Sequence, residues 1–105
     1  MNDTRCVKQS WTRDKIVLAF ELYWTIPRSK IAMNNPQIME LSDIIGNPVG
    51  SVKAMLENFK SFDPSYTKDG KVGLPGGSKE AKRVATEYMN NWDGLVQETE
   101  RIREA

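Results

Sequence analysis

Apolar residues recur at helical spacing in three segments before residue 63. The first segment has them at i, i+4 and i+7, at Ile16, Phe20 and Tyr23. This spacing predicts a helix from Thr12 to about Thr25. Thr12 is the predicted N-cap, because its hydroxyl can accept a backbone N–H of the first turn. Pro27 disfavours helical backbone at the residue before it and so ends the helix. Residues 1–10 are mostly polar and are predicted to form a flexible arm.

Two further helices are predicted to follow one another closely. Asn35 and Pro36 mark the first start, because Asn is a favoured N-cap and Pro is favoured at the first helical position. Gly46 marks its end, since glycine adopts the left-handed conformation at little cost. Asn47 and Pro48 then repeat the start signal. The apolar faces are Ile38, Leu41, Ile44 and Ile45, then Val52, Met55, Leu56, Phe59 and Phe62. Helices over about 36–46 and 48–62 form a helix-turn-helix-like pair.

Residues 63–77 contain four glycines and two prolines and are predicted to be a long Gly/Pro loop. Ser78 is the predicted N-cap of a long C-terminal helix. Its seam repeats at steps of four and three: Ala81, Ala85, Tyr88, Trp92, Leu95, Thr99 and Ile102. This helix either lies across the other three, or its end (about 94–105) projects and pairs with a second copy as a homodimer. The predicted fold is all-α, a compact four-helix domain over residues 11–105.

Composition narrows the functional class. The chain has 105 residues, of which 39% are hydrophobic and 28% charged, as in an ordinary soluble domain. It lacks a run of about 18 apolar residues, so we expect no membrane span. The first residues lack the apolar segment of a secretory signal. The only cysteine, Cys6, cannot form an internal disulfide, and a cytoplasmic location is therefore expected.

The chain has no histidine. This excludes histidine-dependent nucleophilic catalysis and metal sites built on histidine. The carboxylates fall on polar helix faces and do not form the cluster that a metal-dependent nuclease needs. The glycine-rich run over 73–79 lacks the spacing of a phosphate-binding P-loop. We therefore predict a protein that is not an enzyme and that uses no metal or cofactor.

The helix-turn-helix-like pair points to double-stranded DNA as a partner. In such pairs the N-terminal part of the second helix reads base edges in the major groove. The candidate residues there, which are predicted to be exposed, are Ser51, Lys53, Ala54, Glu57 and Asn58. Lys53 could bind guanine and Asn58 adenine. The candidate phosphate contacts are Lys60, Lys68, Lys71 and Lys79, with Lys30, Lys82 and Arg83 as further cations. The net charge of +1 does not match a strongly basic DNA-binding domain.

Short strings in a fixed order carry a family resemblance over residues 11–95. They are Trp11-Thr12-Arg13-Asp14, Ala19 to Tyr23, Ile26-Pro27, Lys30-Ile31, Asn35-Pro36, Leu41 to Gly46, Ser51-Val52, Leu56, Asn58-Phe59, Asp63-Pro64, Gly73-Leu74, Ser78-Lys79 and Trp92. On the basis of these strings, the chain resembles the helical N-terminal domain that precedes the HNH nuclease domain in some bacterial restriction-type endonucleases. The resemblance implies a non-catalytic DNA-recognition module.

The chain departs from that family pattern at several positions. It has no HNH domain, since it has no histidine. Asn47 and Met55 stand where the pattern has basic residues. Ala32 and Asn34 stand where the pattern has a histidine and an arginine. Several presumed phosphate contacts are therefore lost, and each lost contact would weaken DNA binding.

Two functions from different classes follow. The first is a DNA-binding module or small regulator with its third helix in the major groove. The alternative is a protein-binding antagonist, of the phage-encoded, anti-restriction or anti-CRISPR type, that occupies a nuclease or CRISPR effector complex. For the antagonist, aromatic residues would dominate the interface. Trp24, Tyr66 and Trp92 are the candidates for that role.

Overall fold

All regular structure in the described part of the chain is helical. The structure is a computed structural model, and it describes residues 11–68 and 79–104. The helices are α1 (Arg13–Thr25), α2 (Pro36–Ile45), α3 (Val49–Ser61), the one-turn α4 (Pro64–Thr67), α5 (Lys79–Tyr88) and α6 (Trp92–Glu104), with a 3₁₀ turn at Arg28–Lys30. The predicted all-α class is confirmed. The predicted arm 1–10 and most of the predicted loop lie outside the described residues, and the loop's start forms α4.

Helix α1 is the centre of the fold. It packs against α2, α3, α5 and α6. Five consecutive residues, 16–20, are buried, so the helix is covered on all sides within its middle turns. At its start, the Thr12 hydroxyl accepts the backbone N–H of Lys15 at 3.3 Å, which confirms the predicted N-cap. The other helices are therefore arranged around one apolar axis.

The start and end of α2 follow the local sequence signals. Asn35 Oδ1 accepts the backbone N–H groups of Gln37 and Ile38 at 2.8 and 3.2 Å. Pro36 occupies the first helical position. Gly46 has a φ of +79°, in the left-handed region that favours glycine. The predicted N-cap and glycine stop of this helix are confirmed.

Asn47 does not cap α3, and that prediction was wrong. The helix begins at Val49, and the residue before it, Pro48, offers no side-chain cap. Asn47 is only 2% exposed. Its Oδ1 accepts from the Lys15 ammonium at 3.0 Å, and its carbonyl accepts from the Ser42 hydroxyl. Asn47 therefore fastens the turn between α2 and α3 to α1 and α2.

The predicted long C-terminal helix is divided into α5 and α6. The chain leaves helical geometry at residues 89–91. Asn91 then caps α6, because its Oδ1 accepts the backbone N–H of Gly94 at 3.1 Å. The seam residues on both helices face the core, except Trp92, which is 49% exposed. Because of this break, the apolar face of α5 does not continue directly into α6, and the Trp92 side chain lies at the surface.

Helix α6 lies along α1. This agrees with the first of the two alternatives, in which the C-terminal helix lies across the other helices. Leu95 and Thr99 are buried. The Thr99 hydroxyl lies 3.0 Å from the Glu21 carboxylate, which also pairs with Arg103 at 3.4 Å. These contacts hold the last described residues on the body of the molecule. Within the described residues, no helix is long and apolar enough to span a membrane.

A buried polar cluster closes the opposite end of α1. Asp63 is 1% exposed and follows α3. It accepts hydrogen bonds from the Tyr23 hydroxyl at 2.7 Å and from Arg28 at 2.6 Å. Burial, reinforced by the hydrogen bond to Asp63, raises the pKa of Tyr23 above its ordinary value. The cluster thus joins the end of α1 to the corner between α3 and α4.

Candidate nucleic-acid interface

Helix α3 divides into a buried face and a polar outer face. Its buried side chains are Val52, Met55, Leu56 and Phe59. They pack into the core, where the Phe20 and Phe59 rings meet edge to face at 4.9 Å between centroids. The residues predicted to contact DNA lie between these apolar positions, and all of them are half-buried. The outer face of α3 is therefore shallow, with small or partly covered side chains.

One carboxylate holds both lysines of the outer face. Glu57 Oε2 lies 3.5 Å from Lys53 Nζ, and Glu57 Oε1 lies 2.9 Å from Lys60 Nζ. The Lys60 side chain is only 13% exposed, whereas that of Lys53 is 35% exposed. Pairs of this kind on a helix surface contribute only about 0.3–0.5 kcal/mol. Lys53 can therefore exchange its carboxylate for another anion at low cost.

Asn58 lies deeper than the sequence predicted. It is half-buried, and its Oδ1 is fully buried without a hydrogen-bond partner in the described part of the chain. An adenine edge needs both the oxygen and the nitrogen of an asparagine amide. In this conformation Asn58 cannot present that pair, and the expectation that it is exposed was wrong.

The residues at the start of α1 contact both α3 and α5. The Trp11 indole N–H donates to the Ser51 hydroxyl at 2.9 Å. Two residues further on, Arg13 pairs with Glu80 of α5 at 3.1 Å and also with Glu87. The hydrogen bonds to Glu87 and Glu80 raise the pKa of Arg13. The segment 11–13 therefore bridges α3 to α5.

Helix α5 carries cations on its exposed side. Lys79, Lys82 and Arg83 are exposed on one side of the helix. Arg83 pairs with Glu80 at 2.7 Å. Lys79 and Lys82 form no ion pair with any residue that the structure describes. We give the name α3–α5 surface to the following outer positions of the two helices: Gly50, Ser51, Lys53, Ala54, Lys79, Lys82 and Arg83.

Helix α2 is acidic at its exposed positions, whereas α5 is basic on its exposed side. Its exposed positions include Glu40 and Asp43, and the helix contains no Lys or Arg. Met39 and Ile44 are exposed on the same helix, at 48% and 54%. Across α2 and α3 together, three acids outnumber two lysines. The helix that crosses the phosphate backbone in DNA-bound helix-turn-helix pairs is thus acidic here.

The remaining predicted contacts are scattered. Lys68 is exposed at the end of α4, and Lys71 lies outside the described residues. Lys30 is exposed in the 3₁₀ turn, at the other end of α1 from the α3–α5 surface. Sequence reasoning missed Trp11 and Arg13, which appeared only within the family-like string 11–14. Their long-range partners, Ser51 and the two glutamates of α5, gave no local signal.

The described residues contain no group of three or more His, Cys, Asp or Glu side chains placed to hold a metal ion. Most of their acids instead form ion pairs, such as Glu98 with Arg101, where the hydrogen bond from Arg101 lowers the pKa of Glu98.

In comparisons with known proteins, no family model matches the chain, and neither a curated protein nor a solved structure matches it.

Proposed function

We propose that the chain is a non-catalytic module that binds double-stranded DNA through the α3–α5 surface, with the start of α3 in the major groove. The observation that carries this proposal is the helix-turn-helix-like pair of α2 and α3. Gly46 ends α2, and the start of α3 lies at the surface. Gly50 and Ala54 are small, so a groove edge can approach the helix closely at these positions.

Three cations supply the phosphate contacts. Lys79 and Lys82 are exposed and have no ion pair within the described chain. Lys53 is held only by the weak pair with Glu57. Because α2 is acidic, it contributes no phosphate contact, and the DNA must lie toward α5. Three contacts give affinity in the non-specific range, with a dissociation constant on the order of 10⁻⁴ to 10⁻⁶ M at physiological salt.

A titration against labelled random-sequence duplex DNA, followed by fluorescence anisotropy, tests the proposal. Three phosphate contacts predict that affinity falls roughly fortyfold between about 50 and 200 mM salt. Circular dichroism should show unchanged helix content over this range. If the folded protein does not bind duplex at the lower salt concentration, the DNA-binding proposal is wrong.

The alternative function, a protein-binding antagonist of a nuclease or CRISPR effector complex, is favoured by a different observation. Trp24 and Trp92, two of its candidate hot spots, line one groove, and none of its lining residues is a predicted DNA contact. The side chain of Tyr66, the third candidate, lies outside the described part. A duplex titration that shows no binding would make this alternative the leading one.

A further inference from the structure

An aromatic groove lies where α5 gives way to α6. Trp24, Tyr88, Met89 and Trp92 line a groove of about 320 Å³. The capped break before α6 turns Trp92 outward. Trp24 is held in place by edge-to-face contacts with Phe20 and Tyr23, at 6.0 and 5.1 Å between ring centroids. One wall of the groove is therefore rigid before any ligand arrives.

The groove combines apolar walls with free hydrogen-bond donors. The indole N–H groups of Trp24 and Trp92 have no acceptor among the residues that the structure describes, and both side chains are exposed, at 37% and 49%. None of the four lining residues is charged. Asp93 follows Trp92, is exposed, and forms no ion pair within the described chain. A ligand with apolar rings, unpaired carbonyl groups and a flanking cation would be complementary to this arrangement.

The exposed area favours a short segment over a second copy. Two partly exposed indoles present on the order of 200 Å², whereas a specific protein–protein interface buries about 800 Å² on each partner. A polyproline II segment fits the chemistry. Its pyrrolidine rings pack on aromatic walls, and its backbone carbonyls accept no internal hydrogen bonds, so they can accept from indole N–H groups.

We propose that the groove lined by Trp24, Tyr88, Met89 and Trp92 binds a proline-rich segment of a partner protein, with a basic residue of that segment opposite Asp93. This surface is distinct from the α3–α5 surface. Binding there does not depend on the proposed DNA binding, so either proposal can fail while the other holds.

Nuclear magnetic resonance of the ¹⁵N-labelled protein tests the proposal, because the indole N–H signals of Trp24 and Trp92 report on the groove and that of Trp11 reports on a place outside it. The probe is a synthetic proline-rich peptide of about ten residues that carries one arginine, compared with a peptide in which glycine replaces each proline. We expect the proline peptide to shift the Trp24 and Trp92 signals and to leave the Trp11 signal in place, since Trp11 donates to Ser51. The glycine peptide should shift none of them.

Variants sharpen the test. Trp92→Ala should weaken binding at least tenfold, whereas Met39→Ala, at a position of equal exposure (48% against 49%) on α2, should leave it unchanged. Asp93→Asn should weaken binding up to about fivefold for the arginine-bearing peptide only, as expected of an exposed ion pair. Three results would overturn the proposal: no indole shift, equal binding of the glycine peptide, or Trp24 and Trp92 shifts that follow protein concentration without peptide. The last result would assign the groove to a second copy.

Discussion

Asn35 and Asn47 precede proline in the same way, yet only Asn35 caps a helix. Asn35 is half-buried beside the start of α2, where its side chain can turn back over the first backbone N–H groups. Asn47 follows the left-handed Gly46, and the chain there enters the interior. A buried amide needs hydrogen-bond partners, and Ser42 and Lys15 supply them. Local signals therefore predicted the turn but not which groups the asparagine bonds.

Tyr23 makes the free energy of unfolding depend on pH in the alkaline range. Because burial raises its pKa in the folded state, the unfolded chain loses the Tyr23 proton at a lower pH than the folded chain. This contribution to stability is complete below about pH 10 and falls above it, by about 1.4 kcal/mol for each pH unit until the folded group ionises. Urea denaturation at about pH 8 and pH 11 measures the difference.

Tyr23→Phe is the matched control for this pH dependence. It removes the ionisable hydroxyl but keeps the ring, which stacks with Phe20 and meets Phe59 edge to face. We expect the variant to be less stable at pH 8, because Asp63 loses a hydrogen bond, and to lose less stability between the two pH values. An equally steep decline in both proteins would show that another group is responsible.

Among the elements, α2 departs furthest from what a DNA-binding pair requires. Glu40 and Asp43 are exposed on it and would repel the phosphates of duplex DNA bound at the neighbouring α3. Glu40→Gln with Asp43→Asn should therefore tighten duplex binding, by about two- to fivefold at low salt and less at high salt. The anisotropy titration measures this change, and a gain in affinity cannot result from misfolding.

Glu100→Gln with Glu104→Gln provides a control of equal charge. Both residues are exposed on α6 and form no ion pair with the described residues. If DNA lies against the start of α3, which directly follows α2 in the chain, this second pair of substitutions should change binding little, since salt screens charges beyond about 10 Å. Equal tightening by both double variants would mean that only net charge matters, and it would contradict the proposed placement of the DNA.

At the scale of the whole molecule, the sequence predicted the features that depend on residues close together in the chain. The all-α class, the bounds of α1 to α3 and the glycine turn followed from apolar periodicity and capping residues. The break before α6 was missed, because the heptad-like spacing continued through it while Asn91 and Gly94 gave only a weak stop signal. Helix ends inside a continuing apolar pattern depend on tertiary contacts.

The candidate site was predicted less completely than the fold. The α3 residues were identified by their place in the pair, but the exposure of Asn58 was overestimated, and Lys60, a predicted phosphate contact, has a side chain that is only 13% exposed. Whether a side chain is covered depends on helices far along the chain. The link from Trp11 and Arg13 to Ser51 and Glu80 spans 40 and 67 residues. No local pattern could have revealed that the segment 11–13 links α3 to α5.

The measurement that tests the central claim most directly is the salt dependence of duplex binding in three proteins. For the unmodified chain, we expect log K against log salt to have a slope of about −2.7. Lys79→Gln with Lys82→Gln should reduce the slope to about −0.9, because two phosphate contacts are removed. Lys30→Gln should leave it unchanged, since Lys30 lies beyond the far end of α1, a helix about 20 Å long. An unchanged slope in the double variant would contradict the assignment of the α3–α5 surface to DNA.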